Sequence, residues 1–523
     1  MKKKINDPEN TKTFRNPVLP GSFPDPSICR AGGGYYMAHS TFEYFPGVPI
    51  SHSKDLVNWK IIGHCLDRES QLPLEGIRAS AGIFAPSLRY SDGIFYMVTT
   101  NVKGGGNFYV TAKNPAGPWS EPVFVDNEGM DPSLFFDDDG KAYYIRHVGE
   151  ADGYIGQSEI DIKTGKLKGE LKKIWGGTGG IWAEGPHMYK INGLYYLLIS
   201  EGGTSYDHCV TVARSDSPWG PFESNPDNPI LGHSHLPEHP IQAVGHCDLA
   251  QTPGGWYLVC LAIRPQGGRF HHMGRETFLA PVEFNSRGWP VVNGKGTIEF
   301  EMPLPQLQPC PWPQPPALEN FDCKNLAPEW SYIRNPNNAD YSLTERPGYL
   351  RLKGSEKTLI EQSSPTFVGR RQTALSCKVS AVLEFSPQSE NEEAGLTVRQ
   401  TDKFHFDLGL TLRGGKRQVF FRKILRGGPA KAVNYVTVPE GPIILEIETE
   451  PLTYKFSCSF TDGKKMELGS AGTKEISVEE IGFEDGMCFT GAYFGMYASG
   501  NGRRVSAPAD FDWFELDDYP MKG

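Results

Sequence analysis

The sequence predicts an all-β protein with two units, a five-bladed β-propeller followed by a β-sandwich. Three observations carry this prediction. Glycine (59) and proline (42) punctuate the 523 residues densely, and long segments with helical periodicity are missing. Five similar units follow one another in the first part of the chain. A proline-rich segment then separates these units from a second series of short alternating strands.

Each of the five units contains a lead motif and, about ten residues later, a glycine followed by aromatic residues and an apolar strand. The glycine-aromatic segments are GGYYMAHS, GIFYMVTT, GKAYYIRH, GLYYLLIS and GWYLVCLA, which start at residues 33, 93, 140, 193 and 255. The lead motifs are centred on Asp25, Ala85, Asp131, Glu184 and His246, at intervals of 60, 46, 53 and 62 residues. Such intervals suit one four-stranded blade each.

The segment MPLPQLQPCPWPQPPAL, at residues 302–318, ends the repeats. Proline lacks the backbone N–H that sheets and helices use, so this segment cannot lie inside either. We interpret residues 306–318 as a semi-rigid linker or strap between a propeller at 1–305 and a second unit at 319–523. Alternating stretches such as YLRLKG, AVLEFS and QVFFRKIL predict that the second unit is a β-sandwich, with ADFDWFELDD as its last strand.

Charge and composition argue against several classes of partner. Asp and Glu (62) outnumber Lys and Arg (52), which gives a net charge of −10, and no basic cluster stands out to neutralise the phosphates of nucleic acids or anionic membranes. No run of eighteen apolar residues could span a bilayer. This balance favours a neutral ligand such as a sugar. A homo-oligomer is compatible with the sequence.

The cysteines and the N-terminus indicate a compartment. Ten cysteines are scattered singly, without a C-x-x-C pair or zinc-like spacing. This pattern is typical of small buried side chains in a reducing environment. The N-terminal segment MKKKINDPENTKTF is charged and lacks the apolar core of a signal peptide. We therefore expect a cytoplasmic protein.

The lead motifs hold the residues with the clearest chemical potential. Asp25 lies between two prolines in SFPDPSICR, a context that is also common in simple turns. In a propeller, the first strand of every blade lines the central channel, so equivalent positions face one another across the axis. Asp25, Asp131, Glu184 and His246 occupy such positions, and we expect them to meet at one channel mouth. Three carboxylates there are too costly to bury for structural reasons alone.

Paired carboxylates are the standard equipment of glycoside hydrolysis. One of them must be ionised, and the other must hold a proton near neutral pH. A third carboxylate nearby can raise the pKa of the acid by like-charge repulsion. Aromatic residues, 12% of the chain, supply flat faces for sugar rings, although core packing is the better explanation for any single one.

A series of longer motifs runs in order along nearly the whole chain. They are NPVLPGSFPDPS, FEYFPGVPISHSKDLVNW, GMDPSLFFDDDG, EGPHMYKINGLYYLLISEGGT, ARSDSPWGPF, GHCDLAQT, MGRETFLAPVEF, RPGYLRLKG and FTGAYFGMYA. With these motifs the chain resembles glycoside hydrolase family 43, the propeller enzymes that include β-xylosidases and α-L-arabinofuranosidases. The resemblance implies an exo-acting, inverting enzyme that releases terminal β-D-xylose, α-L-arabinofuranose or both from xylo- or arabinoxylo-oligosaccharides, without an organic cofactor.

The resemblance also implies roles for the three carboxylates. Asp25 looks like the general base that activates water for direct displacement. Glu184 looks like the general acid that protonates the leaving oxygen. Asp131 looks like the third carboxylate, which tunes and orients the acid. In an inverting enzyme the base and acid carboxyls stand about 6.5–9.5 Å apart to leave room for water.

Five further residues are expected in the substrate pocket from the same resemblance. Arg275 in MGRETF matches an arginine that reaches the sugar, with a surface salt bridge as the alternative. Phe42 in STFEYFPG matches an aromatic wall, with core packing equally plausible. Thr204 in EGGT contacts substrate or forms only a tight turn. Phe489 in MCFTGAYFG matches a residue that the sandwich places over the propeller mouth. Phe84 stands in GIFAP, where the β-xylosidases usually have Trp, which leaves the leaving-group side undefined.

His246 lies in the lead motif of the fifth unit. A single histidine in a strand is usually a core residue whose hydrogen bonds are satisfied. Its expected position on the channel axis favours the use that the resemblance implies, a water-rich Ca²⁺ site beneath the carboxylates. Such a cation would be structural or electrostatic, since mostly water ligands activate no nucleophile here.

Three other functions compete with this interpretation. A non-catalytic sugar-binding propeller has no reason to keep three carboxylates at equivalent positions. A retaining fructan-processing propeller would carry N-D-P-N-G and R-D-P motifs, where this chain reads FPDPS and GMDPS. An endo-acting arabinanase of the same family usually lacks a second unit. Measuring turnover, as well as binding, separates the first alternative from the hydrolase interpretation.

Overall fold

Strands make up almost all the regular structure of the chain. The computed structural model describes residues 12–518 except 314, 429–430, 461–462 and 483–486. Within these residues, helical structure is limited to the single turns Asn338–Asp340, Thr473–Ile476 and Val478–Ile481. The all-β prediction is therefore confirmed. Most of the segment on which the signal-peptide interpretation rests, residues 1–11, lies outside the described residues.

Each of the five predicted repeat units forms one antiparallel sheet, here named A to E in chain order. Sheet A contains Ser27–Ala31, Gly34–Ala38, Gly47–Ser53 and Lys60–Leu66. Sheet B contains Gly82–Ile83, Ser87–Ser91, Ile94–Val102, Gly106–Ala112 and Val123–Asp126. Sheet C contains Met130–Phe136, Ala142–Val148, Tyr154–Asp161 and Lys166–Trp175. Sheet D contains Glu184–Ile191, Leu194–Glu201, Cys209–Ser215, Glu223–Ser224 and Leu231–Gly232. Sheet E contains Gln242–Thr252, Gly255–Ile263, Glu276–Phe284 and Pro290–Val292.

One strand from each sheet contributes to a closed ring. In chain order, each of these strands contacts the next, and the strand of sheet E contacts that of sheet A. The five strands are Ser27–Ala31, Ser87–Ser91, Met130–Phe136, Glu184–Ile191 and Gln242–Thr252. The lead motifs lie in or beside these ring strands, whereas the glycine-aromatic segments form the strands paired with them. The ring is what brings distant parts of the sequence together.

A buried ion pair fastens several ring strands to one another. Arg89 Nη1 donates to Asp248 Oδ2 at 2.7 Å, and the Ser27 hydroxyl donates to the same oxygen at 2.7 Å. Arg89 Nη2 lies 2.7 Å from Nδ1 of His187. Sheets A, B, D and E thus meet at one carboxylate. Because burial strengthens such contacts, this cluster holds the ring in one register.

The two ends of the ring region are joined by a short additional sheet. Thr13–Arg15 pairs with Glu301–Pro303, so the beginning of the described chain and the start of the proline-rich segment lie side by side. The proline-rich segment then runs along sheet A, where Cys310 N donates to Asp55 Oδ2 at 2.7 Å and Trp312 Nε1 donates to the His52 carbonyl at 3.1 Å. These contacts are those of a strap held against a sheet.

The remaining chain forms two larger antiparallel sheets, F and G. Sheet F contains Leu318–Glu319, Tyr341–Ser342, Leu350–Leu352, Cys377–Glu384, Ile443–Glu450, Thr453–Ser459, Lys465–Gly472 and Ala509–Asp518. Sheet G contains Thr366–Arg371, Glu393–Thr401, Phe404–Arg413, Lys416–Ile424, Lys431–Thr437 and Tyr493–Ser499. One hydrophobic cluster takes side chains from both sheets, as in a sandwich. Tyr332–Ile333, between the first two strands of sheet F in the sequence, pairs instead with Tyr44–Phe45 in the ring region.

A buried network of charges joins the two regions. Arg399 Nη1 donates to the Tyr44 hydroxyl at 2.7 Å and to Glu43 Oε1 at 3.3 Å. Arg399 Nη2 and Arg334 Nη2 each donate to Asp402 at 2.6 Å. Both arginines are fully buried. Each charge in the network therefore depends on its partners, because a buried ion without a counter-charge is strongly destabilising.

The other bulk expectations concern membranes and cysteines. Among the described residues, no helix is long and apolar enough to cross a membrane. The ten cysteines all lie in the described part of the chain and are free thiols. Seven of them are buried, as predicted, whereas Cys209 and Cys310 are partly exposed and Cys323 is exposed.

The buried network predicts a large effect of a single substitution. Arg399→Ala removes the arginine that faces the buried Glu43 carboxylate and one of the two arginines bound to Asp402, and we expect the free energy of unfolding to fall by about 3–5 kcal/mol. Urea denaturation followed by circular dichroism measures this change. Arg413→Ala, at an exposed position of the neighbouring strand in the same sheet, is the matched control. A loss below about 0.5 kcal/mol for Arg399→Ala, the range of ordinary surface substitutions, would contradict the account.

Candidate active site

The structure brings the four predicted lead-motif residues together. His246 Nδ1 lies 3.8 Å from Asp25 Oδ1. Asp131 interacts electrostatically with both of them, and Glu184 interacts with Asp25 and Asp131. All four side chains are buried, and Glu184 is the most exposed at 9%. Three buried carboxyl groups from distant parts of the sequence therefore form one cluster.

The local backbone explains how these side chains point inward. Asp25, Asp131 and His246 have φ values of +54°, +53° and +47°, and Gly185, directly after Glu184, has +57°. The strand pairing shifts register at the corresponding positions of sheets C, D and E. Non-glycine residues rarely adopt this left-handed conformation, and bulges of this kind turn a side chain away from the regular alternation. The same device is thus used repeatedly around the ring.

Asp25 lies among groups that favour its ionised form. Arg275 Nη1 donates to Oδ1 at 2.8 Å, and the Ser40 hydroxyl donates to Oδ2 at 2.6 Å. Burial by itself raises the pKa of Asp25, but Arg275, His246 and the Ser40 hydrogen bond together bring that pKa below its ordinary value. Asp25 is therefore a carboxylate that can accept a proton.

Glu184 lies in the opposite electrostatic environment. Burial raises the pKa of Glu184 well above its ordinary value, and the charges of Asp131 and Asp25 raise it further. Arg275 acts in the opposite direction but does not outweigh these effects. The environment of Glu184 therefore favours the protonated form of its carboxyl group. The two environments therefore shift the pKa values of Asp25 and Glu184 in opposite directions within one cluster.

Asp131, the third carboxyl group of the cluster, is subject to opposing electrostatic effects. Burial raises the pKa of Asp131, and the charge of Asp25 adds to that effect. His246, His147 and a backbone hydrogen bond from Gly185 oppose it. Among the charged neighbours of Glu184, Asp131 has the largest effect on the pKa of that acid. Asp131 thus influences the protonation of the acid through charge.

Three phenylalanines and Arg275 form a wall beside Asp25. The ring of Phe42 stacks on Phe489 with centroids 5.6 Å apart, and Phe84 meets both rings edge-on at 5.7 and 5.6 Å. The Arg275 guanidinium lies 5.7 Å from the Phe42 centroid and 5.4 Å from that of Phe489. Phe489 comes from the sandwich region, while the other residues come from the ring. The four predicted pocket residues are therefore neighbours.

Thr204, the fifth predicted pocket residue, lies on an adjoining cavity of about 340 Å³. Arg275 and Phe489 also line this cavity, and so does His208. Its volume falls within the range of small-molecule pockets. Because residues of both regions line it, the cavity exists only when the sandwich is docked on the ring.

Comparison with known proteins gives the family. The model of glycosyl hydrolases family 43 matches residues 14–290, and that of the beta xylosidase C-terminal Concanavalin A-like domain matches residues 318–517. The chain belongs to glycosyl hydrolase family 43. It is thus a glycosidase, as its buried carboxylates suggest.

Relatives within family 43 match over almost their whole length. A non-reducing end alpha-L-arabinofuranosidase of Bacteroides ovatus is 47% identical, over 97% of this chain and 95% of the relative. A xylosidase/arabinosidase of Butyrivibrio fibrisolvens is 40% identical, over 96% and 99%. The solved structure named Bacteroides ovatus Xyloglucan PUL GH43B has a TM-score of 0.93 at 47% identity, over 97% of this chain and 100% of that one. A xylan beta-1,4-xylosidase from Bacillus halodurans has a TM-score of 0.92 at 35% identity, over the same shares.

The environment of His246 does not by itself form a metal cage. Among the described residues, no three His, Cys, Asp or Glu side chains are grouped so that they could hold a metal ion. Calcium takes six to eight oxygen ligands, and an imidazole nitrogen is not one of them. The protein side chains present therefore do not fit a calcium site built from protein ligands.

Sequence reasoning missed His208. Its Nε2 lies 3.7 Å from Glu184 Oε1, and neither ring nitrogen has a hydrogen-bond partner of good geometry among the described residues. Burial, together with His246 and Arg275, lowers the pKa of His208 to about 3, so the ring is neutral. The only signal in the sequence was its position four residues after Thr204, which would have placed it near the same pocket.

Sequence reasoning also missed a second contact between the two regions, at the edge of the cavity. Glu479 of the sandwich accepts hydrogen bonds from the His271 backbone N–H at 2.8 Å and from the Tyr206 hydroxyl at 3.1 Å, and its Oε1 lies 2.6 Å from His271 Nδ1. No pattern in the sequence marked Glu479, because pairings between distant segments leave no local signal.

The charge cluster predicts a change in the titration of Glu184. Asp131 is the negative charge that contributes most to raising the pKa of Glu184. Asp131→Asn removes this charge, so the pKa of Glu184 should fall. A carboxyl ¹³C NMR titration, with the Glu184 signal assigned by comparison with Glu184→Gln, measures this shift. Asp137→Asn, in a turn of the same sheet, is the control and should leave the pKa of Glu184 where it is. An unchanged or higher value in Asp131→Asn would contradict the electrostatic coupling.

Proposed function

We propose that the protein is an exo-acting, inverting glycoside hydrolase that releases terminal β-D-xylose, α-L-arabinofuranose or both from hemicellulose oligosaccharides. The observation that carries this proposal is the opposed environment of two buried carboxyl groups in one cluster: Asp25 is bound by Arg275 and Ser40, whereas Glu184 is buried beside the like charges of Asp131 and Asp25. Family membership supports the hydrolysis of glycosidic bonds. The arrangement of the chain's own residues supports the mechanism.

In the proposed reaction, Asp25 is the general base. Its pKa is held low, chiefly by Arg275, so the carboxylate is ionised and can take a proton from water as that water attacks the anomeric carbon. Ser40 and Arg275 occupy fixed positions on its two oxygens, which orients the carboxylate. Direct attack by water inverts the configuration at the anomeric carbon.

Glu184 is the general acid in this proposal. Its carboxyl group keeps a proton at neutral pH and donates it to the oxygen that leaves with the rest of the chain. Asp131 keeps the pKa of this acid high through its charge. The neutral His208, 3.7 Å from Glu184, adds no positive charge that would favour loss of the proton.

We also propose that sheets A to E are the blades of a five-bladed propeller spanning residues 1–305, that 306–318 form the linker, and that 319–523 form the sandwich. The closed ring of five strands and the strap against sheet A support this division. In this arrangement Phe489 closes the pocket from the sandwich side. A closed pocket holds one terminal sugar, whereas an open channel would admit the middle of a chain, so the wall favours exo-action over an endo-arabinanase.

The choice between the two sugars rests on the relatives. The names of two of them include arabinofuranosidase or arabinosidase, at 47% and 40% identity. Names at 37% and 38% identity include beta-xylosidase. These names support a pocket that accepts either pentose. The three phenylalanines of the wall offer an apolar face to either one.

The cost of burying the carboxylate cluster also argues against the non-catalytic sugar-binding function considered from the sequence. A binding site needs no proton donor, yet here burial and like charges together raise the pKa of Glu184.

An axial Ca²⁺ beside His246 remains a proposal that requires mostly water as ligands, and no step of the reaction depends on it. Elemental analysis of the purified protein tests it, and the lack of one equivalent of calcium would overturn it.

The role of Glu184 is tested by the leaving group. Glu184→Ala removes the proton donor, so kcat on a natural disaccharide should fall by about 10²–10⁴. A 2,4-dinitrophenyl glycoside of the same sugar needs no proton and should lose far less. Steady-state kinetics on both substrates measure the difference. Equal losses on the two substrates would show that Glu184 is not the acid.

A further inference from the structure

The segment just before Glu184 presents large apolar side chains to solvent. Residues 176–182 read GGTGGIW and contain no charged residue. Ile181 is 54% exposed, and Trp182 is partly exposed. The family 43 chemistry described above does not use either side chain. Apolar side chains exposed close to an active-site residue are candidates for contact with a ligand.

This segment is held firmly in spite of its four glycines. The buried carboxylate of Glu201 accepts hydrogen bonds from the backbone N–H of Thr178 at 2.9 Å and from that of Gly180 at 2.8 Å. It also accepts from the hydroxyls of Thr178 and Thr211, at 2.9 and 2.7 Å. A buried carboxylate that is saturated in this way fixes the segment in one conformation. The exposed side chains are therefore displayed on a rigid support.

Trp182 itself is held in an uncommon conformation. Its φ is +56°, a left-handed value that costs energy for an aromatic residue. Its backbone N–H donates to the Ala151 carbonyl at 2.7 Å, and its indole ring lies 5.7 Å from the imidazole ring of His147. On the other side the ring lies against Gly203, where any side chain would come within 2.8 Å of it. The glycine at position 203 therefore leaves the space that the indole ring occupies.

Trp182 lies close in the sequence to Glu184, the proposed acid, and not to the phenylalanine wall. Trp182 precedes Glu184 by two residues, and Glu184 pairs with Ser200 at the end of sheet D that also carries Gly203. The phenylalanine wall lies instead around Arg275, which is bound to Asp25. An acid must reach the oxygen of the leaving group. The sugar attached to that oxygen therefore extends toward the acid side of the pocket.

We propose that Trp182, with Ile181 at its rim, is the platform on which the leaving-group sugar ring stacks. The ring would lie with its apolar C–H face on the indole, which offers a flat surface without charge, suited to a neutral sugar. This inference rests on the proposed function. It addresses the leaving-group side of the site, which the sequence leaves undefined.

Paired substrates test the platform. A disaccharide places a sugar ring on the leaving-group side, whereas the methyl glycoside of the same terminal sugar places only a methyl group there. For Trp182→Ala we expect kcat/KM on the disaccharide to fall about tenfold, the effect of losing roughly one such contact, and kcat/KM on the methyl glycoside to change less than about twofold. Trp182→Leu, which fills the space without a flat face, should behave like Trp182→Ala.

Two further variants separate stacking from structure. Trp182→Phe keeps an aromatic face and should retain most of the activity on the disaccharide. Trp219→Ala removes a tryptophan that is 38% exposed in a turn beyond the third strand of sheet D, away from the carboxylates, and should change neither substrate. Equal losses on both substrates, or no loss on the disaccharide in Trp182→Ala and Trp182→Leu, would overturn the platform. If the unmodified enzyme hydrolyses neither substrate, the proposed function fails instead.

Discussion

The ion pair between Arg275 and Asp25 is the interaction on which the rest of the site depends. Three buried carboxyl groups share a small volume, and they cannot all carry a charge. Arg275 stabilises the charge on Asp25, assisted by Ser40, whereas its effect on the pKa of Glu184 is outweighed by burial and by the charges of Asp131 and Asp25. Protonation is therefore favoured on Glu184 and ionisation on Asp25. In the proposed reaction this asymmetry makes one carboxyl group the base and the other the acid, the pair that hydrolysis of a glycosidic bond requires.

The sandwich contributes residues to this site, among them Phe489. A continuous path of contacts runs from Arg399 in the sandwich to Glu43, whose carboxylate accepts from the Ser80 N–H at 2.9 Å. The Ser80 hydroxyl in turn accepts from the Phe489 N–H at 2.9 Å. The buried charges that join the two regions thus also hold the aromatic wall in place. Stability and pocket shape are linked through the same residues.

The sequence predicted much of this arrangement, for identifiable reasons. The repeated glycine-aromatic segments predicted the sheets, because strand periodicity and turn residues are local signals, and equivalence between repeats predicted that Asp25, Asp131, Glu184 and His246 would meet. The left-handed backbone at several of these positions was not predictable, since it arises from bulges that depend on the neighbouring strand. The contact of His208 with Glu184 and the buried charge network around Arg399 could not be predicted either, for a related reason. Their partners are far away in the sequence, and no spacing reveals them.

The central claim is that an ionised Asp25 delivers water directly to the anomeric carbon while Glu184 protonates the leaving group. Observing the first-formed product by ¹H NMR, before the sugar mutarotates, tests this most directly. With an aryl β-D-xyloside or an aryl α-L-arabinofuranoside as substrate, the account predicts that the anomeric signal of the new sugar has the configuration opposite to that of the substrate. A product that first appears with the substrate's own configuration would mean a covalent intermediate and would contradict the account.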